Sequence, residues 1–207
     1  HENRGTVRRG FSLLELIVSL TCLTLISVGL FAIFEMCSSN FRVGLTRQAL
    51  QSQIMTFSAR FGVDVRQCSI YSASVNPRSV SVDLDPGNSA QSVTVRRDSI
   101  SLSGLRDANN PNSYEAVTGL PKWDCYWIYT ATTESPTGKL IRFRRDWPAT
   151  VAQVKLPDFL GVPNAYNVYP SPVAVPRTSQ VLAHGLFKLE GAVDLANQQI
   201  IVRVGFR

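Results

Sequence analysis

The residue of this chain with the least ordinary chemistry is Glu15, a carboxylate inside a long apolar segment. The segment covers residues 11–34, contains no proline, and has Glu15 as its single charged residue. A carboxylate within a membrane span costs a few kcal/mol unless it is paired. Glu15 therefore either lies close enough to the lipid headgroups to reach water or has a cationic partner.

Cleavage of the chain between Gly10 and Phe11 would supply such a partner. Phe11 would then carry a free amino group four residues before Glu15, and residues at i and i+4 share one face of a helix. The amine and the carboxylate could pair within one chain. In a bundle of parallel copies, the carboxylate could instead neutralise the new N-terminus of a neighbour. Pairing between subunits would favour one axial register, so Glu15 is a candidate assembly residue.

Other polar residues do not form a recognisable catalytic or metal-binding motif. His184 has no nucleophile placed beside it by a known motif. Asp83, Asp85 and Asn88 lack the spacing and the distal glutamate of an EF-hand calcium loop, and a turn explains them. The four cysteines show no C-x-x-C spacing, which argues against a zinc ribbon or a thioredoxin-like motif. We therefore predict no enzyme activity, no metal and no cofactor.

Three arginines beside an aromatic residue form a candidate nucleic-acid contact. Arg142, Arg144 and Arg145 flank Phe143 and could bind a nucleic acid or an anionic surface. In a strand, however, Ile141 and Phe143 would point inward while Arg142 and Arg144 would point to water. The net charge of +6, from 21 basic and 15 acidic residues, is mild for a dedicated nucleic-acid binder. We expect solvated arginines and no nucleic-acid partner.

The apolar segment is long enough to cross a membrane. Its 24 residues would form a helix of roughly 36 Å, against a hydrocarbon core of about 30 Å. Arg4, Arg8 and Arg9 precede it, and positive charge keeps that end cytoplasmic. A cleaved secretory signal is the competing interpretation, but its apolar region is normally about 7–15 residues long and ends in a small-x-small site. The sequence favours a basic leader over residues 1–10 and a retained membrane helix over residues 11–34.

The helix is predicted to continue well beyond the membrane segment. All eleven prolines lie at or after position 77, and a proline inside a helix costs about 3 kcal/mol. Leu50, Ile54, Phe57 and Phe61 are spaced by four, three and four residues, which places them on one helix face. This pattern predicts one continuous helix over residues 11–67, apolar all round at first and amphipathic afterwards.

The rest of the chain is rich in β-strand patterns. The amphipathic helical extension is assigned to residues 35–70 and a globular head to residues 71–207. Alternating or β-branched runs predict strands at 80–84, 93–97, 100–102, 126–132, 140–144, 181–189 and 200–206. Residues 147–176 hold six of the eleven prolines and are expected to form a long ordered loop. Helical crossovers between strands are lacking, so the predicted fold class is α+β, a long helix packed on a small antiparallel sheet.

The cysteines divide by compartment. Cys22 lies in the membrane helix and Cys37 just after it, too far apart along a helix to bond to each other. Cys68 and Cys125 lie in the part predicted to be extracytoplasmic, where a disulfide would persist. A bond that closes this loop of 56 intervening residues would add about 3–4 kcal/mol by the chain-entropy model. The alternative is a pair of free buried thiols.

The start of the apolar segment resembles a known processing signal. The sequence R-R-G-F-S-L-L-E-L-I-V-S-L, residues 8–20, is similar to the type III signal of type IV pilins and pseudopilins. Residues 61–67 look like the D-[IVL]-R-Q stretch that ends the long helix in minor pilins and pseudopilins. Residues 138–143 and 181–186 resemble late segments of PilW-type minor pilins and J-type minor pseudopilins. The apolar segment lacks the proline usual in major pilins, which favours a minor subunit.

This resemblance implies a fold, a processing route and a set of partners. It implies a pilin-like fold, cleavage after Gly10 by a prepilin peptidase of the bacterial inner membrane, and N-methylation of Phe11. It also implies assembly with other pilins or pseudopilins into a filament of a pilus or a type II secretion system, with the head outside the cytoplasm. The alternative is a single-pass, membrane-anchored binding module that does not polymerise.

Overall fold

The computed structural model describes residues 12–85, 91–156 and 179–207. One long helix, α1, spans Leu13–Arg66 and is followed by eight β-strands within these ranges. The chain forms two compact units, His1–Ala49 and Leu50–Arg207, and α1 contributes residues to both. This architecture confirms the α+β class and the long N-terminal helix. The predicted leader and Phe11 lie outside the described residues.

The part of α1 from Leu13 to Phe34 is apolar except for Glu15, and its four hydroxyl groups form hydrogen bonds within the helix. Ser19, Thr21, Thr24 and Ser27 each donate a hydrogen bond of 2.7–2.8 Å to a backbone carbonyl three or four residues earlier. Such bonds remove the need for water around a hydroxyl group. This part of the helix is therefore suited to a hydrocarbon environment, where every polar group must find a partner inside the protein.

The strands are β1 (Ser74–Asn76), β2 (Ser79–Asp83), β3 (Ser92–Arg96), β4 (Ser99–Gly104), β5 (Trp123–Ala131), β6 (Gly138–Thr150), β7 (Gln180–Asp194) and β8 (Gln199–Phe206). Six of them form a sheet in the order β1-β4-β5-β6-β7-β8, while β2 and β3 pair separately. All of these pairings are antiparallel. The predicted antiparallel sheet is thus confirmed.

Two features of the sheet differ from the sequence-based expectation. The short strand β1 was not predicted, because three residues carry too little alternation to stand out. Strand β6 continues to Thr150, although a loop was expected from residue 147 onward. After a bulge, β5 pairs with β6 as far as Trp123 opposite Thr150, so pairing with a neighbour overrides the signal of Pro148. Residues 157–176 of the expected loop lie outside the described residues.

One face of the sheet packs on the C-terminal part of α1. The rings of Phe57 and Phe61 stack at 5.4 Å, and both meet the edge of Tyr129, at 6.0 and 5.0 Å. Ile54, which was predicted on the same helix face, is 44 % exposed. The buried helix face is therefore narrower than predicted. The other buried members of this cluster are Ala73, Ile100, Leu102, Ala131, Leu140, Leu182, Ala183, Leu186 and Leu189.

The opposite face of the sheet is also buried around its central strands. A second hydrophobic cluster there contains Tyr126, Ile128, Ile141, Phe143 and Leu156. Strands β5 and β6 therefore bury side chains on both of their faces. In such strands, alternation does not separate a buried side from a solvated side.

A buried arginine joins β7 to the turn between β5 and β6. The Arg97 side chain is fully buried and donates hydrogen bonds to four backbone carbonyls. Its acceptors are the carbonyl oxygens of Phe187 at 3.2 Å, Thr132 at 2.8 Å, Glu134 at 2.5 Å and Pro136 at 3.1 Å. A planar guanidinium with five N–H donors suits such a convergent set of acceptors.

The sheet curls so that β7 closely approaches β4 and β1. A Cβ atom built on Gly191 would lie 3.0–3.1 Å from carbon atoms of Ile100 and Val75. The absence of a side chain at Gly191 thus allows the close approach, since protein interiors leave little room for an added methyl group.

We predict that Gly191→Val destabilises the head by about 1–3 kcal/mol, because overpacking a filled core forces neighbours to shift. Urea unfolding of the full chain in detergent, followed by tryptophan fluorescence, measures the change. Gly62→Ala is the matched control, since a Cβ at Gly62 would meet no atom within 4 Å. Equal stability of Gly191→Val and wild type would contradict the close packing of β7 on β4.

Candidate assembly site

The first candidate site is the N-terminal turn of α1, where Glu15 and Ser12 bond to each other. The backbone N–H of Ser12 donates to Oε2 of Glu15 at 3.0 Å. In return, the backbone N–H of Glu15 donates to Oγ of Ser12 at 3.4 Å. This reciprocal arrangement is a capping box, which satisfies two backbone N–H groups that a helix start would otherwise leave without acceptors.

A local sequence pattern also predicts this cap. A serine followed three residues later by a glutamate, directly before an apolar run, is the pattern of a capping box. The expected alternatives for Glu15 were contact with water near the lipid headgroups or pairing with an N-terminal amine, and the cap to Ser12 is an additional contact. Phe11 and Gly10 lie outside the described residues, so the predicted cleavage, methylation and pairing stay predictions.

The helix that follows Glu15 has the length and composition of a membrane span. Within the described residues, α1 is the one helix that meets these criteria. Its apolar side chains from Leu13 to Phe34 are exposed. An exposed apolar surface of this length requires lipid or other apolar helices as its surroundings.

The second candidate site lies near the end of α1, where Asp64 is buried against the sheet. Arg142 of β6 binds this carboxylate through two parallel hydrogen bonds, Nε to Oδ2 at 2.7 Å and a terminal nitrogen to Oδ1 at 2.9 Å. The hydroxyl of Tyr129 in β5 donates to Oδ2 at 2.5 Å. Both carboxylate oxygens are therefore occupied, and one side chain of α1 is tied to two strands.

An aromatic ring completes this buried ion pair. The guanidinium carbon of Arg142 lies 3.5 Å from the centre of the Trp127 ring, a cation–π contact. Burial alone lowers the pKa of Arg142, but the hydrogen bond and the charge of Asp64 outweigh it and raise that pKa above its ordinary value. Burial, together with the hydrogen bond to Asp64, also raises the pKa of Tyr129. The cation and the phenol therefore keep their protons at any physiological pH.

The expectation that Arg142 points to water is wrong. Arg142 is 8 % exposed, because the sheet is covered on both faces and α1 lies on the face that Arg142 occupies. Arg144 is exposed and pairs with Asp146 at 2.9 Å, as expected for a solvated arginine. A strand with two buried faces can place an arginine inward when a carboxylate meets it there. Local sequence patterns do not reveal that carboxylate, because Asp64 lies 78 residues away from Arg142.

Cys68 and Cys125 lie where the end of α1 meets the sheet. Cys68 is half-buried and its thiol donates to the Val65 carbonyl at 3.2 Å, while Cys125 is buried in β5. Next to Cys68, the N–H of Ser69 donates to Oγ of Ser103, whose neighbour Gly104 pairs with Cys125. Both cysteines are free thiols in the structure, so the disulfide stays a prediction.

Neither His184 nor a cluster of acidic residues forms a catalytic or metal site in the described part of the chain. The backbone N–H of His184 donates to Oε1 of Gln53 at 2.9 Å, which ties β7 to α1. In the described ranges, no cluster of three histidine, cysteine, aspartate or glutamate residues could hold a metal ion.

Comparison with known proteins adds one finding. Residues 6–31 match the family model of the prokaryotic N-terminal methylation motif. No curated protein matches the chain, and no solved structure matches it. The matched residues include Gly10, Phe11 and Glu15.

This match supports a type IV pilin-like protein, a class of structural subunits rather than enzymes. It implies processing by a prepilin peptidase and assembly with other pilin-like subunits. The apolar helix α1 is consistent with anchoring in a membrane.

We predict that Asp64→Ala destabilises the head by about 3–5 kcal/mol, because it leaves the Arg142 charge buried without its partner. The free energy of unfolding in urea measures the loss. Asp146→Ala is the matched control: its partner Arg144 is exposed, and such pairs contribute about 0–1 kcal/mol. If Asp64→Ala were as stable as Asp146→Ala, the buried pair would not be what holds the end of α1 on the sheet.

We also predict that the reduced protein loses stability as the pH rises from about 9 to about 12. Burial raises the pKa of Cys68 from 9.0 to about 11 and that of Cys125 from 9.0 to about 12. In this window the folded state holds protons that the unfolded state has released. The stabilisation is therefore complete below pH 9 and is lost above it.

Urea unfolding between pH 8 and pH 11 in the presence of a reductant measures this slope. Cys125→Ala should show a smaller slope, because one of the two buried thiols is gone. A free energy of unfolding that is constant over this range would contradict the burial of the thiols.

Proposed function

We propose that this chain is a minor pilin or pseudopilin, a structural subunit that assembles through its N-terminal helix into a type IV pilus or a type II secretion pseudopilus. The observation that carries the proposal is the coincidence of Gly10, Phe11 and Glu15 at the start of an exposed apolar helix, within a matched N-terminal methylation motif.

The proposed route begins in the bacterial inner membrane. Residues 1–10 form a cytoplasmic leader, residues 11–34 span the membrane, residues 35–70 extend the helix, and residues 71–207 form the extracytoplasmic head. A prepilin peptidase cleaves after Gly10 and methylates the new N-terminus at Phe11. The absence of proline from the apolar segment and the late-segment resemblances support a minor subunit, at the initiating tip of a filament.

Assembly exchanges one apolar environment for another. The membrane-spanning part of α1 leaves lipid contacts and packs among like helices of neighbouring subunits. Because lipid and helix surfaces are similarly apolar, hydrophobicity alone does not select one axial register. A carboxylate that pairs with the N-terminal amine of a neighbour does select one, since an unpaired charge in this environment is costly. Glu15 is the residue proposed for this role.

We predict that Glu15→Ala and Glu15→Leu insert into the membrane normally but are incorporated into filaments about tenfold less, because the paired charge is lost. The amount in the sheared filament fraction, relative to the membrane fraction, measures incorporation. Glu35→Ala is the matched control, since Glu35 is an exposed carboxylate of the same helix outside the motif. Normal incorporation of both Glu15 variants would contradict the register role.

The mature N-terminus is measured on the same samples by mass spectrometry. The wild-type chain should begin at N-methylated Phe11, and a bulky replacement such as Gly10→Val should retain the leader. If the protein isolated from cells still carries Arg8 and Arg9, or never enters a filament, the alternative of a membrane-anchored binding module is supported.

A further inference from the structure

Strand β8 forms one edge of the six-stranded sheet, and its outer side is unpaired in the described part of the chain. The strand spans Gln199–Phe206. Every second residue of an antiparallel edge strand points both its N–H and its C=O away from the neighbouring strand. Within the described ranges, no further backbone hydrogen bond reaches these groups of β8. A row of free main-chain groups of this length is a template on which another strand can pair.

The outward face of β8 joins this edge to a small cavity. Ile201 and Arg203 lie on that face, opposite Ala192 and Glu190 of β7. The cavity measures about 140 Å³ and is lined by Arg96, Glu190, Gly191, Ala192, Ile201 and Arg203. Sites for cofactors and drug-sized ligands have volumes of about 300–1,000 Å³. The cavity therefore suits one side chain of a partner rather than a cofactor.

Two arginines supply this cavity with positive charge. Arg96 is held by the buried carboxylate of Asp98, through Nε at 3.2 Å and a terminal nitrogen at 2.6 Å. A guanidinium has five N–H donors, so Arg96 is fixed in place and keeps donors for a ligand. Arg203 faces Glu190, whose carboxylate pairs with Lys188 at 3.0 Å instead. Among the described residues Arg203 has no ion pair, so a carboxylate is the group that complements the two arginines.

We propose that the outer edge of β8 binds an extended segment of a partner protein as an added strand, with an acidic side chain of that segment held between Arg203 and Arg96. Main-chain hydrogen bonds provide affinity in this mode of recognition, and the cavity selects the side chain. An apolar side chain of the segment packs on Ile201, which is 42 % exposed. The inference goes beyond the proposed assembly of the N-terminal helix, because it assigns a class of ligand to the head.

A second copy of this chain is a poor occupant of the edge. Strand β8 has the sequence Q-I-I-V-R-V-G-F, which contains no acidic residue. A paired β8 from another copy would therefore offer Arg203 no carboxylate and would bring a second arginine to the same edge. Like charges that face each other across strands are destabilising. The charges thus favour a different, acidic segment.

A charge on an edge strand can also serve to prevent pairing. The two roles of Arg203 predict opposite effects of removing its charge. If the arginine protects the edge, Arg203→Ala should bind an added strand more tightly than wild type. If it recognises a carboxylate, Arg203→Ala should bind an acidic strand less tightly.

The test measures peptide binding to the full chain in detergent by fluorescence anisotropy. The labelled, capped seven-residue peptide has glutamate at its centre, valine two residues to either side and threonine elsewhere, because these β-branched residues favour strands. Matched peptides carry glutamine or lysine in place of the glutamate, and another has the sequence of residues 199–206. Arg203→Glu reverses the charge at the cavity. Arg60→Glu is the matched control, since Arg60 is an exposed arginine of α1 that does not line the cavity.

The expected result is a preference for negative charge that depends on Arg203. The wild-type chain should bind the glutamate peptide about fivefold more tightly than the glutamine peptide, as a favourable exposed ion pair allows. Arg203→Ala should lose this preference, and Arg203→Glu should favour the lysine peptide. Arg60→Glu should behave as wild type.

Two N-methylated forms of the glutamate peptide test the main-chain pairing. One form carries methyl groups on the nitrogens of valine and glutamate, and the other carries them on those of threonine. Successive N–H groups of a strand point to opposite edges, so only one form places its methyl groups toward β8. That form should lose binding, and the other should keep it.

Several outcomes would overturn the inference. Failure of the glutamate peptide to bind, or equal binding of the two methylated forms, would refute the added strand. Equal binding of the glutamate and glutamine peptides to wild type would refute recognition of a carboxylate. Tighter binding to Arg203→Ala than to wild type would show that the arginine protects the edge. If the peptide of residues 199–206 bound as tightly as the glutamate peptide, a second copy would be the occupant instead.

Discussion

Burial of Asp64 imposes the strongest constraint on the head. A carboxylate removed from water is tolerated only if its charge and its lone pairs are matched. Here Arg142 and Tyr129 match both oxygens, and Trp127 covers the guanidinium. The end of α1 supplies Asp64, β5 supplies Tyr129 and β6 supplies Arg142. The three elements must therefore form together, because the loss of one would leave a buried polar group of another without its partner. The hydrophobic contacts of Phe57 and Phe61 add stability around this point but are less directional.

The same helix carries the carboxylate of Glu15, for which the described part of the chain supplies fewer partners. Glu15 accepts one backbone N–H through Oε2, whereas both oxygens of Asp64 are engaged. The contacts of Asp64 lie within the folded head. Among the described residues, the Glu15 carboxylate has the single donor Ser12 N–H. This difference supports a role in fold stability for Asp64 and agrees with the proposed role of Glu15 in assembly.

Much of the fold could be predicted from local patterns. The proline-free N-terminal part predicted α1, and β-branched alternation located seven of the eight described strands. The cap at Ser12 is equally local and was within reach of the sequence. The predicted end of β6 was wrong. Pro148 favoured a loop, but β6 continues to Thr150 because it pairs with β5.

The buried ion pair of Asp64 and Arg142 could not be predicted from local sequence patterns. Arg142 was predicted to be a solvated arginine on a strand, and Asp64 entered the prediction only as part of the stretch 61–67 that resembles the end of the long helix in minor pilins. Their pairing depends on which helix face meets which sheet face, and it joins residues 78 positions apart. The disulfide, the cleavage site and the register contact concern chemistry or neighbours and remain predictions.

The Arg97 contacts have a consequence for how the head can diversify. Its guanidinium holds the turn between β5 and β6 through the main-chain oxygens of Thr132, Glu134 and Pro136 rather than through their side chains. Because these acceptors are main-chain oxygens, exposed side chains of the turn can change without removing them. Point substitutions can therefore change the exposed side chains of this turn. Adding or deleting a residue would displace the carbonyl oxygens and break their hydrogen bonds to Arg97.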